Sequence, residues 1–578
     1  MTSTPCLPFL RPYAWRPLLG RKDAYLRFYH LARQHELQQA NALKYPRIRH
    51  GVTPMRIPAF RDKYQNVETG SVADEEVVLR GRVQHVRRAS SKLVFLDLTG
   101  EFERVQGLCN FRKLEPSGAT LSEFKELSKL LNRGDLVAVT GRATKTKTGE
   151  LSIDVTRLPE ILSPSLIPLP NRLSDDDTRI QNRHMDLLVN QSTADTLRLR
   201  AHIIKYMRDF LHDKGFLEFQ TPILAENAGG AIARPFVTSA TEFPSKELAL
   251  RIAPELWLKR LVVGGIEKVF EIGPAFRNEG IDQTHNPEFT MCEFYDAYAN
   301  LEDLIGRTED LVSGTAAFCQ ELISAKLTSL PPIDLSRYAR PFRQVEFIPE
   351  LEKKLGFSLP DLADENAHKE LMALLREHKV DVGDDGAATL PKLLDRLASI
   401  YLEPYSKEAP LFITHHPVCM SPLSKSFTCP KTGQVVSARA ELFVEGRELA
   451  NMYEEENDPA AQRQKLVEQA KLRDASGAAD PEAMAVDEGY VQVLESGLPP
   501  TGGWGCGVER LVMLFSGTRR ISDCLSFGNL RNVVGLSSGK RTSLPSEGQE
   551  EDGGEGTATA TESRTSAATG AAQAEKKF

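Results

Sequence analysis

The side chains best suited to chemistry in this chain lie between residues 270 and 295. Two strand-like runs, the first ending at Glu279, are joined by a polar loop that contains His285 and Asn286. An arginine such as Arg277 can hold phosphate oxygens, and an aromatic ring on the return strand can stack on a base. The pattern predicts a nucleotide-binding hairpin, with an ordinary surface hairpin as the alternative.

The return strand of this hairpin shows an alternating pattern. The period of two places Phe289, Met291, Glu293 and Tyr295 on one face of a strand. The loop before it has the composition of a turn, with Gly280, aspartate, asparagine and proline close together.

Three glutamates recur every seven residues further along the chain, at Glu441, Glu448 and Glu455. On a helix they would form a charged face toward solvent, which is the usual fate of such a run. Gly446 and the apolar triplet at 442–444 favour a strand and a turn instead. We therefore expect these carboxylates to line a cleft.

A glycine-rich segment at residues 497–507 runs into a helical pattern that begins near Arg510. Glycines allow the backbone to approach a ligand closely. The planar guanidinium of Arg510, at the start of the helix, can meet phosphate or adenine.

Composition limits the classes of protein to consider. The 578 residues are enough for two or three domains. The eight cysteines form no Cys-x-x-Cys pair, which favours a reducing compartment and predicts neither a zinc site nor a disulfide framework. No run of about eighteen apolar residues occurs, so we expect no membrane partner. Because the net charge is −7, nucleic acid must be met by a local basic surface.

Residues 71–160 provide such a surface. They read as five strands with a helix after the third, which is the order of an OB-fold barrel. This segment has 15 Lys and Arg against 13 Asp and Glu, so it is basic within an acidic chain. The basic residues cluster near Phe95, a candidate for base stacking, although a purely structural barrel is the alternative.

The chain divides into five predicted parts. Residues 1–22 lack Asp and Glu and resemble a mitochondrial presequence, with an unstructured basic terminus of a cytoplasmic protein as the alternative. A helical lead-in and connector follows at 23–70, then the barrel at 71–165 and a catalytic domain at 175–536. The tail at 537–578 is poor in large apolar residues and is predicted to be disordered.

Three stretches of the chain resemble the signature motifs of class II aminoacyl-tRNA synthetases, in the correct order. Gly215 to Pro222 looks like motif 1, Phe276 to Glu279 with its return strand like motif 2, and Gly505 to Arg510 like motif 3. With the OB-fold in front, Arg251 to Leu256 and Asn286 to Thr290 look like the lysyl-tRNA synthetases of this class. The resemblance covers about residues 75 to 535.

This resemblance implies an α+β fold, with a five-stranded OB-fold barrel before a catalytic domain built on an antiparallel sheet with flanking helices. It implies activation of lysine by ATP to lysyl-adenylate and transfer to the 3′ end of tRNA(Lys), with the barrel binding the anticodon. Motif 1 forms a two-fold interface in this class, so we expect a homodimer.

The family's residue roles carry over to matching positions. The lysine-binding residues so implied are Gly230, Glu255, Glu293, Tyr295, Asn451 and Glu455. The ATP-binding residues are Arg277, Glu279, His285, Asn286, Phe289 and Arg510, of which the two arginines are catalytic. Glu441 and Glu448 are implied to bind Mg²⁺. The implied anticodon-binding residues are Arg88, Phe95, Gln106 and Glu150.

Three other functions compete with this hypothesis. An aspartyl- or asparaginyl-tRNA synthetase is disfavoured by Glu293 and Glu455, since carboxylates suit a buried ammonium. A lysine-to-protein ligase is disfavoured because such relatives lack the OB-fold. A catalytically inactive RNA-binding paralogue is opposed by the intact charged residues, such as Arg277.

Two departures from the family pattern stand out. Glu509 replaces the usual aspartate before the motif 3 arginine, and Glu454 and Glu456 add acids beside Glu455. Together with the sequence of residues 503–507, they resemble fungal mitochondrial lysyl-tRNA synthetases most. We therefore predict the mitochondrial matrix as the location, with the cytoplasm as the alternative.

Overall fold

A computed structural model describes residues 21–537, except 48–53, 228, 232, 384–388, 475–483 and 485. The predicted presequence, apart from its last two residues, and the predicted tail after 537 lie outside the described residues.

The N-terminal part is a barrel with two helices in front of it. Its elements are α1 (Arg21–Gln39), α2 (Ile57–Tyr64), β1 (Val72–Ser90), β2 (Leu93–Gly100), β3 (Glu103–Asn110), α3 (Phe111–Leu114), α4 (Leu121–Leu130), β4 (Leu136–Lys145), β5 (Leu151–Val155) and β6 (Glu160–Ser163). The strand order is β1-β2-β3-β5-β4-β6, and β1 also pairs with β4. This second pairing closes the sheet on itself.

The barrel interior follows from alternation along the strands. In β1, Val77, Leu79, Gly81 and Val83 are buried, while Val78, Arg80 and Arg82, which alternate with them, are more exposed. A capping box of Thr120 and Glu123 starts α4 after the third strand. The predicted five strands, and the OB-fold they imply, are confirmed. The short β6 was not predicted.

The C-terminal part contains the remaining elements. Its first half comprises α5 (Asp176–Gln181), α6 (Arg183–Val189), α7 (Gln191–Asp213), β7 (Leu217–Glu218), β8 (Leu224–Ala225), β9 (Val237–Ala240), β10 (Phe243–Leu250), α8 (Glu255–Val263), β11 (Lys268–Phe276), β12 (Glu288–Ala297), α9 (Leu301–Ala325), β13 (Arg343–Glu346), α10 (Phe347–Leu355), α11 (Ala367–Glu377) and α12 (Leu390–Tyr401). Its second half comprises β14 (Leu411–Thr414), β15 (Ser426–Thr428), β16 (Val435–Ser437), β17 (Arg439–Val444), β18 (Arg447–Glu454), α13 (Pro459–Asp474), α14 (Glu488–Leu494), β19 (Thr501–Gly507), α15 (Val508–Ser516), α16 (Ile521–Cys524) and α17 (Leu530–Ser537).

An eight-stranded sheet organises this part, in the order β13-β14-β17-β18-β19-β12-β11-β7. Only the outer pairs, β13 with β14 and β7 with β11, are parallel. One face of the sheet packs on α7, α9 and α15, where Met207, Leu304 and Val512 lie in one core. The antiparallel catalytic sheet with flanking helices is confirmed, and its other face is available to build a site.

Candidate active site

The hairpin of β11 and β12 forms the sixth and seventh of the eight strands of the large sheet, beside β19. Phe270 pairs with Phe294, and Gly273 pairs with Met291. Along β12, Cys292 and Phe294 point into the core. The four alternate residues Phe289, Met291, Glu293 and Tyr295 line a cavity of about 610 Å³. The predicted face of the return strand is therefore present.

Most residues proposed for the two small substrates meet in this cavity. Its lining includes Gly230, Glu255, Arg277, Glu279, His285, Asn286, Phe289, Glu293, Tyr295, Glu448, Asn451 and Arg510. Glu455 and Glu441 do not line it: Glu455 lies against Gly503 and Tyr295 of its wall, and Glu441 contacts the lining residue Arg439. Residues from four segments far apart in sequence are thus brought together by the strand order.

One end of the cavity is rich in buried carboxylates. Tyr295 donates a hydrogen bond of 3.2 Å from Oη to Oε2 of Glu293, and Tyr453 donates one of 2.8 Å to Oε1 of Glu255. Burial, with the neighbouring charge of Glu255, raises the pKa of Glu293 to about 8. A cation bound here would stabilise the ionised form of Glu293.

Glu455 pairs with Lys259, a buried residue that the sequence reasoning missed. Gly503 explains how Glu455 fits beside Tyr295. A Cβ at this glycine would lie 1.9 Å from Oε1 of Glu455 and 2.7 Å from Cε1 of Tyr295. The glycine is thus needed for packing of the pocket wall.

Arg277 lies between the carboxylates and the outer part of the cavity. Its guanidinium carbon lies 5.2 Å from the centre of the Phe289 ring, and Nη2 lies 3.9 Å from the sulfur of Met291. Nε contacts the carbonyl of Ile252 at 3.5 Å. These long contacts hold the arginine weakly, so its N–H groups can bind phosphate oxygens.

The loop between the two strands is organised by Asp282. The main-chain N–H groups of Thr284 and His285 donate to its Oδ1 at 2.6 and 2.7 Å. Although burial opposes the effect, these bonds and the His285 side chain lower the pKa of Asp282 to about 2. His285 Nε2 is then 3.5 Å from Nη2 of Arg510.

Asn286 makes contacts of a different kind. Its Nδ2 donates to the carbonyl of Glu288 at 2.6 Å, and its Oδ1 accepts from the N–H of Leu530 at 3.1 Å. These bonds fix the loop against α17. Asn286 reaches the cavity wall, but its amide is used for loop structure.

Arg510 and Glu448 form a pair across β18 and α15. Nη1 of Arg510 donates to the carbonyl of Glu448 at 2.6 Å and lies 3.1 Å from its Oε2. The neighbouring Glu509 points elsewhere, with Arg200 at 2.8 Å and the N–H of Thr290 at 3.0 Å. The Glu509 side chain thus connects motif 3 to the β11–β12 hairpin, and Arg510 remains in the lining of the cavity.

Glu441 is held by two residues that the sequence reasoning did not select. His416 lies 3.1 Å from its Oε2, and Arg439 pairs with its Oε1. Burial opposes ionisation, but Arg439 and His416 keep the pKa of Glu441 below its usual value. Arg439 also donates to Oδ1 of Asn451 at 3.0 Å, which orients that amide.

Further acids surround Glu441 and Glu448. Burial first, then Asp395, Glu441 and Glu448, raises the pKa of Glu403 to about 7. The same two glutamates add to the effect of burial in raising the pKa of Asp395. Carboxylate oxygens are the donors that Mg²⁺ prefers, so these residues fit the ion. Within the described ranges, no group of three or more His, Cys, Asp or Glu is arranged as a complete metal site.

A second candidate site lies on the barrel. Phe95, Gln106 and Glu150 line a groove of about 450 Å³, and Nε2 of Gln106 is 3.3 Å from Oε2 of Glu150. Arg87 covers the Phe95 ring, 4.2 Å from its centre.

The predicted Arg88 lies apart from this groove. It donates to the carbonyls of Ser128 at 2.6 Å and Leu131 at 3.1 Å, near the end of α4. In the structure Arg87, and not Arg88, is the arginine beside Phe95. A register shift in β1 between Arg88 and Ser90 adds to the difficulty of assigning faces by alternation.

An OB-fold followed by an antiparallel sheet with this cavity-lining hairpin defines a class II aminoacyl-tRNA synthetase. The family "tRNA synthetases class II (D, K and N)" matches residues 175–531, and "OB-fold nucleic acid binding domain" matches residues 77–161.

Three similar proteins of this class are all lysine–tRNA ligases. A mitochondrial lysine–tRNA ligase of Schizosaccharomyces pombe is 40% identical, over 85% of this chain and 91% of the relative. A mitochondrial lysine–tRNA ligase of Saccharomyces cerevisiae is 37% identical, over 79% of this chain and 82% of the relative. A probable cytoplasmic lysine–tRNA ligase of Encephalitozoon cuniculi is 37% identical, over 82% of this chain and 91% of the relative. The chain belongs to the lysine–tRNA ligase family of class II synthetases. In the part of the chain that the structure describes, no helix is long and apolar enough to cross a membrane.

Proposed function

We propose that this chain activates lysine with ATP and transfers it to the 3′ end of tRNA(Lys). The observation that carries the assignment of lysine is Glu293. This buried carboxylate, bonded to Tyr295, lies in the same cavity as Arg277. A side-chain ammonium requires such a partner when it leaves water. The relatives named above are lysine–tRNA ligases, which supports the same substrate.

The amino acid would bind along β12. Glu293 and Tyr295 would receive the ε-ammonium, with Glu455 contributing negative charge from behind the wall. Glu255 and the main chain of Gly230 would receive the α-amino group. Gly230 has a φ of +95°, and a Cβ there would lie 2.9 Å from Cβ of Glu255, so glycine is required.

The nucleotide would bind at the other end of the cavity. Phe289 and Glu279 would contact the adenine, because one offers a ring face and the other an acceptor for its amino group. His285 and Arg510 would hold the outer phosphates, with Asn286 keeping the loop in place. Arg277 would bridge the α-phosphate and the lysine carboxylate, which Asn451 also binds.

The first chemical step needs positioning and charge stabilisation. The lysine carboxylate attacks the α-phosphorus in line, the bond to the leaving phosphate breaks, and pyrophosphate departs with the bonding electron pair. Arg277 offsets the negative charge that develops on the α-phosphate. In the second step a terminal ribose hydroxyl of tRNA attacks the carbonyl of lysyl-adenylate, the bond from that carbonyl to the phosphate oxygen breaks, and AMP leaves with the bonding electron pair while the hydroxyl proton is released. No side chain acts as a nucleophile.

We propose that Glu441 and Glu448 hold Mg²⁺ at the phosphate end. The fit is supported by the surplus of carboxylates there, which raises the pKa of Glu403. A bound Mg²⁺ supplies positive charge to the phosphate oxygens. Arg439 and His416 would keep Glu441 oriented toward this position.

The barrel would read the anticodon through its groove. Phe95 can stack on an unpaired base, while Gln106 and Glu150 offer hydrogen bonds to base edges. Arg88 would act by fixing β1 to α4. This division, with residues 71–165 binding the anticodon and 175–536 performing catalysis, is part of the proposal.

We also propose a homodimer. Four apolar residues on the short strands after α7 are about half exposed, at Leu217, Leu224, Val237 and Phe243. Leu224, Val237 and Phe243 lie on the three strands of one small sheet, and exposed apolar residues on one sheet favour an interface. Sedimentation at micromolar concentration should give twice the mass of the chain, and a monomer would contradict the proposal.

The mitochondrial matrix is the proposed location. It is supported by the composition of residues 1–22 and by the two fungal relatives, which are mitochondrial enzymes. Fusion of residues 1–40 to a fluorescent protein should direct it to mitochondria of a fungal cell. A diffuse cytoplasmic signal would favour the alternative.

Amino-acid-dependent exchange of pyrophosphate into ATP tests the assignment of the substrate. The chain should exchange with lysine and show little exchange with aspartate or asparagine. Exchange with aspartate equal to that with lysine would overturn the proposal in favour of the aspartyl or asparaginyl type. No exchange with any amino acid would favour an inactive RNA-binding paralogue.

A further inference from the structure

A lysine of the protein itself is buried beside the amino-acid end of the cavity. The side chain of Lys259 is fully inaccessible to solvent. Its Nζ lies 2.6 Å from Oε1 of Glu255 and also pairs with Oε2 of Glu455. Three tyrosine rings surround the ammonium, with centres 5.7 to 5.9 Å away; they belong to Tyr295, Tyr453 and Tyr490.

The local sequence places this lysine. Glu255 is the first residue of α8, and Lys259 follows four positions later, so the two side chains lie on the same face of the helix. Burial alone would lower the pKa of Lys259, but Glu255 and Glu455 raise it well above its ordinary value. The buried ammonium is therefore charged at physiological pH.

The charges around Lys259 show which carboxylates of the pocket it pairs with. Three buried carboxylates are grouped here, at Glu255, Glu293 and Glu455. Lys259 pairs with the first and the third. Glu293 is bonded to the hydroxyl of Tyr295, and it lines the cavity. An incoming side-chain ammonium therefore finds Glu293 as the carboxylate that the internal lysine does not pair.

We propose that Lys259 is a specificity-determining positioning residue, which holds Glu255 and Glu455 in place and leaves Glu293 for a substrate with a single side-chain ammonium. The inference rests on the proposed lysine activity. Lys259 does not line the cavity, so it acts on the substrate through the carboxylates that it orients. In this view Glu455 acts as part of an internal ion pair.

Steady-state pyrophosphate exchange with the full chain tests this role. Lys259→Met keeps the length of the side chain and removes its charge. It should raise the lysine KM about tenfold or more while the ATP KM changes by less than about twofold, because only the amino-acid end loses an ion pair. Lys353→Ala serves as the control, since that side chain is 72% exposed and pairs with Glu350 on α10.

Rescue distinguishes positioning from simple structural support. Lys259→Ala leaves space for a small cation, so n-propylammonium should lower its lysine KM, while n-propanol should not. The double change Lys259→Met with Glu455→Gln should raise the lysine KM by less than the product of the two single effects, because the two residues form one ion pair. Additive effects, or an absence of rescue in a folded Lys259→Ala protein, would overturn the proposal.

The remaining outcomes are also decisive. An unchanged lysine KM in Lys259→Met, or equal rises in both KM values, would overturn the inference. If the alanine and methionine variants melt at much lower temperature, Lys259→Arg, which keeps the charge, should retain the lysine KM within about threefold. A larger rise in that folded variant would contradict it. Failure of the unaltered chain to exchange with lysine would instead refute the proposed function.

Discussion

The hydroxyl of Tyr295 donates a 3.2 Å hydrogen bond to Oε2 of Glu293, and both side chains are buried in the wall of the substrate cavity. The bond fixes one carboxylate oxygen. Burial keeps the group poorly solvated, so a substrate cation would gain a strong partner. We propose that recognition of lysine depends on this pair more than on any other contact that we describe.

Glu293→Gln should therefore impair lysine binding selectively. The amide keeps the shape of the side chain but removes the charge that an ammonium requires. We expect the lysine KM to rise roughly 100-fold with the ATP KM nearly unchanged. Pyrophosphate exchange at varied lysine and varied ATP measures both. An unchanged lysine KM would remove Glu293 from the pocket.

The raised pKa of Glu293 predicts a pH dependence. Burial, with the charge of Glu255, places this pKa at about 8 in the free enzyme, so Glu293 carries a proton at neutral pH. Lysine binding favours the ionised form and must release that proton. The lysine KM should fall about tenfold per pH unit as the pH rises toward 8, then level off.

Two comparisons check the origin of this slope. The slope should disappear in Glu293→Gln, because the amide does not titrate. A lysine KM that is independent of pH between about 6 and 8 in the unaltered enzyme would contradict the assignment.

Gly503 gives a steric prediction. A methyl group there would overlap Oε1 of Glu455 and Cε1 of Tyr295, so both must move. Gly503→Ala should raise the lysine KM about tenfold or more. Gly306→Ala on α9 is the matched control, because its added methyl group meets nothing within 4 Å. Normal lysine binding by Gly503→Ala would show that this wall is not required.

The barrel groove predicts separable effects on tRNA. Phe95→Ala should weaken tRNA charging by about 1–3 kcal/mol, the typical value of one stacked base, and leave pyrophosphate exchange unchanged. Arg87→Ala should share this effect because Arg87 covers the ring. Arg88→Ala should mainly lower the melting temperature. Loss of exchange in Phe95→Ala would contradict the division of labour between the domains.

Features that follow from the local periodicity of apolar residues could be predicted from the sequence. The alternation along β12 predicted the cavity face, since strand side chains point to opposite sides and one side faces the core. The five strands of the barrel were readable for the same reason. The signature motifs then implied which of the cavity residues to select.

Residues that act through tertiary contacts could not be predicted from the sequence. Lys259, Arg439 and His416 have no distinctive local spacing, apart from the four-residue interval between Glu255 and Lys259. Two of them pair with a residue far away in sequence, Lys259 with Glu455 and His416 with Glu441. Arg87 was missed because neighbouring arginines on an irregular strand cannot be assigned to faces by counting.

Charging of tRNA with radiolabelled amino acids tests the central claim most directly. Purified chain, ATP, Mg²⁺ and total tRNA should yield acid-precipitable lysine, and parallel reactions with aspartate and asparagine should remain at background. Glu293→Gln should abolish the product at low lysine concentration and recover part of it at high concentration. Charging with aspartate or asparagine, or no charging with lysine, would contradict the account.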